Sequence, residues 1–207
     1  MTYIFDFDGT LVDSMPVFSR HMQNMFEKNH LPVSPDFVKI ITPLGYAGTY
    51  EYAKTLGLQI TKEEFIAEVT EAMTYEYHHT IPAKKYVKEA LLRLKADGHS
   101  LNVLTASPHA VLDVCLKRVE LYELFDQIWS CDDFGRTKAE PEIYTEAAQR
   151  LGTNVEDCIF ADDNVGAVST AKKAGMVTVG VFDESSKELV EEMKLASDRY
   201  IQDFREL

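Results

Sequence analysis

Short apolar runs recur along the chain, and each one ends abruptly in polar residues. The runs are four to six residues long and include many β-branched and aromatic side chains, which is typical of strands that are buried on both faces of a sheet. We therefore predict five strands, at residues 2–5, 101–104, 127–130, 158–161 and 177–182.

Helical patterns separate these runs. Apolar residues recur every three to four positions in four segments, and a glycine follows three of them, as is common just beyond the last turn of a helix. Ser107 precedes the remaining segment as a candidate N-cap. The predicted helices span residues 84–97, 108–119, 141–151 and 165–174. Strands that alternate with helices of this length predict an α/β fold, with a Rossmann-like parallel sheet and helices on both of its faces.

Residues 14–82 break this alternation. Helical periodicity covers residues 17–28, 35–41, 48–56 and 62–78, and none of these segments has the pattern of a strand. We therefore predict an α-helical cap domain at residues 14–82. It is inserted into a core domain that consists of residues 1–13 and 83–207.

The composition narrows the class of protein. Hydrophobic residues make up 45% of the 207 residues and charged residues 27%, which is typical of a soluble globular protein with a substantial core. The 21 Lys and Arg residues face 34 Asp and Glu residues, so the net charge is −13. This acidic balance disfavours nucleic acid and anionic membranes as partners. A small anionic substrate therefore needs a local binding device, such as a metal ion.

The cysteines and the N-terminal residues favour a cytoplasmic protein. Cys115, Cys131 and Cys158 are an odd number without a C-x-x-C pair, which fits a reducing compartment and disfavours a zinc site. Asp6 interrupts the first apolar run, and no apolar window of about 18 residues follows it, so neither a signal peptide nor a membrane-spanning helix is predicted. We expect a monomer or a weakly associated dimer.

Reactive side chains follow several of the predicted strands. Ligands of open α/β sheets bind beyond the carboxyl ends of the strands, so these side chains are expected to share one edge. They are Asp6, Asp8, Thr105, Ser107, Asp162 and Asp163, with Lys138 in the loop before the third predicted helix. Carboxylates that crowd together repel one another unless a hard divalent cation lies among them, most naturally Mg²⁺. Asp132 and Asp133 also follow a strand, and we interpret them as turn or helix-cap residues.

These residues resemble the motifs of the haloacid dehalogenase superfamily of phosphohydrolases, in that family's order. The motifs are D-F-D-G-T at residues 6–10, Thr105, Lys138, and the pair Asp162-Asp163 with Gly175-Met176 beyond it. A helical insert directly after the first motif resembles the subfamily with an α-helical cap at that position. The resemblance therefore covers essentially the whole chain.

The sequence departs from the family pattern at two places. Ala139 follows Lys138 where the family usually has proline, and we expect the lysine to keep its role. The fourth motif can be aligned in two ways: counting back from Gly175 makes Asp163 the principal metal ligand, whereas matching Ala161 to the family's glycine would choose Asp162. We favour Asp163.

The resemblance implies a role for each motif residue. Asp6 is the nucleophile that forms an aspartyl-phosphate, and Asp8 is the acid and then the base. Lys138 balances the negative charge of the phosphoryl group and of Asp6. Thr105, Ala106 and Ser107 lie where the phosphoryl oxygens bind, although Ser107 alone is also explained as a helix cap. The implied Mg²⁺ ligands are Asp6, the Asp8 backbone carbonyl and Asp163, with Asp162 as a ligand or as a partner of the ligands.

One residue of the insert is a candidate for substrate contact. Residues 42–48 are predicted to be a loop between two cap helices, and this loop combines two glycines with Tyr46. It resembles the loop that sets substrate specificity in the family. Tyr46 is therefore a candidate substrate-binding residue.

The predicted function is that of a Mg²⁺-dependent phosphatase acting on a small cytosolic phosphomonoester. A sugar phosphomutase would use the same residues, and a non-catalytic phospho-ligand binding protein would keep the same fold. Dehalogenation and phosphonate hydrolysis are disfavoured because Asp8 supplies a second acid. A signalling receiver domain is disfavoured because its adjacent acidic pair follows the first strand, whereas here Asp162-Asp163 comes late in the chain.

Overall fold

The computed structural model describes residues 1–207, apart from the side chain of Pro43. The strands are β1 (Thr2–Phe5), β2 (Ser100–Thr105), β3 (Gln127–Ser130), β4 (Cys158–Asp162), β5 (Val177–Val181) and β6 (Arg199–Ile201). Among the described residues they form one sheet in the order β3-β2-β1-β4-β5-β6, and every neighbouring pair is parallel. The predicted α/β class with a parallel sheet is confirmed.

The sheet agrees with the predicted strands except at one edge. All five predicted strands are present, and none of their ends moves by more than one residue. Strand β6 was not predicted, because it has only three residues and its first one, Arg199, is exposed. Since β1 lies between β2 and β4, the residues that follow it are central in the molecule.

The helices occupy the insert and the connections between strands. They are α1 (Met15–Lys28), α2 (Phe37–Ile41), α3 (Gly45–Thr55), α4 (Lys62–His79), α5 (Val87–Ala96), α6 (His109–Arg118), α7 (Pro141–Arg150), α8 (Val165–Ala174) and α9 (Val190–Ala196). The first four lie within the predicted cap. None of the helices in the described part of the chain is both long enough and apolar enough to cross a membrane.

Two helix starts in the core differ from the prediction, and in the insert α1, α2 and α3 begin two or three residues from the predicted positions. Helix α5 begins at Val87, three residues late, because Tyr86 adopts a left-handed conformation (φ +67°) that cannot continue a helix. Helix α6 begins at His109, and Pro108 occupies its N-cap position. Ser107 therefore lies one residue too early to cap the helix, and the prediction that it does so is wrong.

The predicted loop at residues 42–48 is helical instead. Its first part forms a single 3₁₀ turn, and α3 begins at Gly45. Tyr46 thus lies in the first turn of a cap helix. The glycines that suggested a loop are accommodated because Gly45 takes a positive φ of +59° at the junction.

Buried side chains form a cluster on each face of the sheet. Along β1, Ile4 belongs to one cluster and Phe5 to the other, as the alternation of side chains in a strand requires. The cluster around Phe5 continues without interruption into the insert, where it includes Phe26 and Phe65. The cap and the core therefore share one apolar interior.

The chain enters and leaves the insert side by side. The amide of Asp13 donates to the Pro82 carbonyl, and the amide of Lys84 donates to the Leu11 carbonyl, both at 2.9 Å. The guanidinium group of Arg118 in α6 donates to the carbonyls of Tyr77 (3.1 Å) and Ile81 at the end of α4. These contacts fix the insert above the carboxyl ends of the strands.

Candidate active site

Asp6 and Asp8 follow the central strand β1, and the two carboxylates lie in different surroundings. The amide of Asp6 extends the pairing with β4 by donating to the Ala161 carbonyl at 2.9 Å, which fixes the start of the loop. The Asp6 side chain is only 7% exposed and accepts a hydrogen bond from Lys138. Asp8, two residues later, faces the cap.

Lys138 connects two carboxylates from different strands. Its Nζ donates to Asp6 Oδ1 at 2.6 Å and to Asp162 Oδ2 at 2.8 Å. The loop that carries it is held in place because the hydroxyl of the buried Tyr144 donates to the Lys138 carbonyl at 2.9 Å. Burial opposes the charged form of Lys138, but the carboxylates of Asp162 and Asp6 outweigh it and raise its pKa well above the usual value.

Three carboxylates converge at this edge of the sheet. Asp6, Asp162 and Asp163 each offer an oxygen atom, and these atoms all lie within 4.8 Å of one another. Burial, partly offset by Lys138, raises the pKa of Asp162 to about 7. Burial and the charges of Asp162 and Asp6 also raise the pKa of Asp163. Such mutual repulsion is relieved by a divalent cation, so the cluster is a candidate metal centre.

The adjacent residues Asp162 and Asp163 have different partners. Both oxygens of Asp162 accept hydrogen bonds, Oδ2 from Lys138 and Oδ1 from the Asn164 amide at 2.7 Å. Asp163 is held by the loop after β1, since its Oδ1 accepts a bond from the Thr10 hydroxyl at 2.9 Å. Asp162 therefore orients the lysine, whereas Asp163 is held against the loop of Asp6 and Asp8.

Gly9 permits the close approach of Asp163. A Cβ atom at this position would lie 2.4 Å from Asp163 Oδ2, and Gly9 also has a φ of +72°. Any larger residue would have to displace the carboxylate and to adopt a strained backbone conformation. This explains the glycine in the D-F-D-G-T motif.

Asp8 accepts a hydrogen bond on each of its carboxylate oxygens. The Tyr77 hydroxyl donates to Oδ1 at 2.5 Å, and the Ser107 hydroxyl donates to Oδ2 at 2.6 Å. Burial and the charge of Asp6 raise the pKa of Asp8, while the bonds from Ser107 and Tyr77 oppose this rise. Ser107 thus acts on the predicted acid rather than on a helix end.

Tyr77 is a residue that sequence reasoning missed. It lies in α4 and is spaced along it with the buried residues Phe65, Val69 and Met73, so its position in the sequence is that of an ordinary core residue. Its ring also stacks on Phe7, with 5.8 Å between centroids. Only the fold shows that its hydroxyl reaches the loop after β1.

Tyr46 also lies near Asp8, although from a helix rather than from a loop. Burial and the Asp8 carboxylate both raise the pKa of Tyr46. Its ring stacks on Phe18 of α1, with 5.8 Å between centroids. Of the two cap tyrosines, Tyr77 donates a hydrogen bond to Asp8, whereas Tyr46 is affected by the charge of Asp8.

The second motif forms a tight turn beside Asp8. Thr105 is the last residue of β2, and its buried hydroxyl accepts a hydrogen bond from the Ser107 amide at 3.1 Å. Ala106 between them is exposed at the edge of the sheet. The expectation for Asp132 and Asp133 is met: the Asp133 carboxylate caps the 3₁₀ turn after β3 by accepting from the Ser130 amide at 2.9 Å.

A second, largely buried lysine contacts the loop after β1. Lys84 Nζ donates to the Gly9 carbonyl at 2.6 Å, to the Phe182 carbonyl at 2.7 Å and to Asp183 Oδ2 at 3.0 Å. Sequence reasoning missed this contact because it placed Lys84 at the start of a helix. The pattern of the chain identifies Asp183 only as the residue that follows the predicted strand at 177–182.

Comparisons with known proteins found a matching family model and several similar proteins. The family model described as haloacid dehalogenase-like hydrolase matches residues 3–181. Hexitol phosphatase B of Escherichia coli strain K12 is 25% identical over 183 residues, which are 86% of this chain and 82% of that protein. The phosphoglycolate phosphatase of Salmonella typhi is 27% identical over 200 residues, covering 86% of this chain and 79% of that protein.

Solved structures resemble this one over nearly their full length. A HAD hydrolase of family IA, variant 3, from Entamoeba histolytica has a TM-score of 0.82 at 22% identity, and the match covers 100% of this chain and 94% of that chain. A variant of CbbY from Rhodobacter sphaeroides in complex with xylulose-(1,5)bisphosphate has a TM-score of 0.79 at 20% identity, covering 100% of this chain and 95% of that chain. At these identities the likeness is evidence for the fold.

Proposed function

The chain belongs to the haloacid dehalogenase-like hydrolase family, and on that premise we propose that it is a Mg²⁺-dependent phosphatase of small phosphorylated metabolites. The observation that carries the proposal is the buried contact of Lys138 with Asp6 at 2.6 Å, inside a cluster of three carboxylates at the carboxyl ends of the strands. A nucleophilic carboxylate, a cation beside it and a separate acid are the groups that phosphoryl transfer requires.

Asp6 is the group that attacks phosphorus. Lys138 fixes one of its oxygens, Oδ1, and so sets the orientation of the carboxylate. Attack forms a bond between a carboxylate oxygen and phosphorus, while the bond from phosphorus to the leaving oxygen breaks. The product is a phosphoryl group on Asp6, which a water molecule then hydrolyses to free phosphate.

Asp8 moves the protons of both steps. As an acid it gives a proton to the leaving oxygen, and as a base it then takes a proton from the attacking water. Acid catalysis near neutral pH needs a carboxyl whose pKa is higher than usual, and burial together with the charge of Asp6 raises the pKa of Asp8. This difference in surroundings supports separate roles for Asp6 and Asp8.

The donor set of the cluster fits Mg²⁺. Its three members are carboxylates with oxygens within 4.8 Å of one another, and Mg²⁺ prefers such hard oxygen ligands. We propose Asp6, Asp163 and the backbone carbonyl of Asp8 as ligands, and Asp162 as the residue that orients Lys138, because both Asp162 oxygens already accept hydrogen bonds. When bound, Mg²⁺ offsets the charge of the phosphoryl oxygens.

The turn at the end of β2 is the proposed binding place for the phosphoryl oxygens. Thr105 and Ser107 offer hydroxyls there, and Ala106 and the start of α6 offer backbone amides. Tyr46 contacts the remainder of the substrate from α3. Relatives named for hexitol phosphates and for phosphoglycolate support a small phosphomonoester, such as a phosphorylated sugar or short-chain acid, as the substrate.

Release of inorganic phosphate tests this function. The purified protein is incubated with an aryl phosphate and with a panel of phosphorylated sugars, hexitols and short-chain acids, in Mg²⁺ and in excess chelator. We expect Mg²⁺-dependent release, which the Asp6→Asn variant lacks. Equal release in chelator would refute the metal requirement, whereas a rearranged sugar phosphate without free phosphate would identify a mutase.

A further inference from the structure

Lys84 is a largely buried cation that the proposed mechanism does not use. Its side chain is 18% exposed, and its ammonium group pairs with Asp183, which is 3% exposed. The three donors of the ammonium group match three acceptors: the carbonyls of Gly9 and Phe182 and the Asp183 carboxylate, at 2.6 to 3.0 Å. A lysine with every donor bound in this way is fixed in one position.

Lys84 lies where the chain returns from the cap to the core. Its amide donates to the Leu11 carbonyl, so the linker leaving the cap pairs with the linker entering it. Its side chain donates to the Gly9 carbonyl. The residue therefore joins the base of the cap to the loop that follows β1.

Gly9, the residue of that loop to which Lys84 donates, also lies against Asp163. The Asp163 carboxylate rests against Gly9 so closely that a Cβ there would lie 2.4 Å away. Thr10, the next residue, donates to the same carboxylate at 2.9 Å. A displacement of the Gly9–Thr10 peptide would therefore displace Asp163.

We propose that Lys84 is a positioning residue for the metal centre: it fixes the Gly9 carbonyl and, through the Gly9–Thr10 turn, the carboxylate of Asp163. The position of the cap linker and that of a metal ligand are thereby coupled through one side chain. This inference rests on the proposed function only in taking Asp163 as a Mg²⁺ ligand.

The charge of Lys84 makes the test sharp. Removing a cation close to a Mg²⁺ site should by electrostatics alone tighten Mg²⁺ binding. Losing the fixed position of Asp163 should instead weaken it, by about tenfold or more, as is usual when a group that orients a ligand is removed. The two explanations therefore predict opposite signs.

The main variant is Lys84→Met, and its control is Lys85→Met. Lys85 is the next residue of the same linker and is exposed, so its loss removes the same charge without the contact to Gly9. Mg²⁺ binding is measured by calorimetry, without substrate. We expect Lys84→Met to bind Mg²⁺ about tenfold more weakly than the wild type, and Lys85→Met to bind it as the wild type does.

A second measurement requires neither Mg²⁺ nor activity. The amides of Gly9, Leu11 and Val12 are hydrogen-bonded within the loop, and hydrogen exchange with mass spectrometry follows them in one peptide. Lys84→Met should speed their exchange about fivefold or more, since the turn loses its anchor. Exchange equal to that of Lys85→Met, or Mg²⁺ binding that is unchanged or tighter, would overturn the proposal.

Lys84→Met leaves Asp183 buried without its cation, which endangers folding. The double variant Lys84→Met/Asp183→Asn removes both charges, so the net charge near the site is unchanged, and it should still bind Mg²⁺ more weakly than the wild type. Wild-type binding by this variant would count against the proposal. A wild type without phosphatase activity would refute the proposed function alone, because the exchange rates and Mg²⁺ affinities of the variants would still differ.

Discussion

Two carboxylates separated by one residue have opposite surroundings at this site. Asp6 lies against the ammonium group of Lys138, whereas Asp8 is surrounded by the hydroxyls of Tyr77 and Ser107. Lys138 fixes one oxygen of Asp6 in position, whereas burial and the charge of Asp6 raise the pKa of Asp8 and favour the protonated form that proton transfer needs. Substitution of the two residues should therefore have different consequences.

Asp6→Asn removes the attacking oxygen and should abolish both turnover and the phosphoenzyme. Asp8→Asn keeps the nucleophile and should lose roughly 10² to 10⁴ in turnover, the usual value of a positioned proton donor. An aryl phosphate with an acidic phenol needs little protonation, so it should still phosphorylate Asp8→Asn. Mass spectrometry should find the phosphate on Asp6, and its absence from both variants would contradict the assigned roles.

Asp162 and Asp163 should likewise differ. Asp163→Ala should weaken Mg²⁺ binding more than Asp162→Ala does, because Asp162 is already bound by Lys138 and the Asn164 amide. Calorimetric Mg²⁺ titration of both variants measures this difference. Asp132→Ala is the control, since it removes an exposed carboxylate at the same edge of the sheet. The reverse order would make Asp162 the principal ligand.

Gly9→Ala should be far more harmful than a comparable change elsewhere. Gly135 also has a positive φ, +59°, but its added Cβ would meet no atom within 4 Å, whereas at Gly9 it would meet the Asp163 carboxylate. Gly135→Ala should therefore lose only about 1 kcal/mol in the free energy of unfolding and keep its activity. Gly9→Ala should lose most of its activity as well, and equal activity losses would refute the packing explanation.

At the scale of elements, helix α4 joins cap packing to the active site. Phe65, Val69 and Met73 fill the interior of the cap, and Tyr77 continues the same buried face down to Asp8. The end of the helix is bound by Arg118 of the core helix α6. The cap thus contributes a polar group to the site through a helix that is fixed at its base.

Tyr77→Phe tests this contribution through the pH profile. The bond from Tyr77 stabilises charged Asp8 and so lowers its pKa; its loss should raise the pKa of Asp8 further. An acid is lost as the pH rises through its pKa, so the alkaline limb of kcat/KM for an alkyl phosphate should move to higher pH. Tyr75→Phe, at an exposed position of the same helix, is the control. A shift to lower pH would contradict the assignment of Asp8 as the acid.

The elements differ in how well the sequence predicts them, for identifiable reasons. Helix α8 has both its predicted ends, because the Asn164 side chain caps its start by accepting from the Ala167 amide and Gly175 ends it. Such signals are local. Helix α5 starts later than predicted because Lys84 and Lys85 suit a helix by residue type, whereas Tyr86 takes a left-handed φ of +67°. Lys84 is also bound to Gly9 and Asp183 instead of lying in the helix.

The same distinction applies to the candidate site. Motif residues at the ends of strands were predictable, because parallel strands present their carboxyl ends at one edge, and the structure brings Asp6, Lys138, Asp162 and Asp163 together there. Tyr77 was not predictable, since a buried tyrosine on a helix has many uses and its partner is 69 residues away. Contacts between distant segments are what the pattern of one sequence lacks.

At the scale of the whole molecule, the cap and core share one apolar cluster, so they should unfold together. Phe65→Ala in the cap should lower the free energy of unfolding by about 3–5 kcal/mol. Trp129 is the only tryptophan of the sequence and lies in the cluster on the opposite face of the sheet. Its fluorescence should report the same loss as circular dichroism of the helices during denaturation.

The control for this experiment is Leu195→Ala, at a side chain that is 86% exposed, and it should leave both transitions in place. An unchanged Trp129 transition in Phe65→Ala, with a separate earlier loss of helix signal, would show instead that the cap unfolds independently.

The central position of β1 also matters while the protein is being made. The ribosome synthesises Thr2–Phe5 before either of its neighbours in the sheet, and one of these neighbours, β4, begins only at Cys158. At about 5–20 residues per second, that neighbour follows on the order of 10 s later. During this interval the edge of β1 that later pairs with β4 has no partner in the nascent chain. Exposed apolar strand edges of this kind are surfaces that chaperones bind. Strand β1 is thus synthesised well before both of its neighbours in the sheet are present to enclose it.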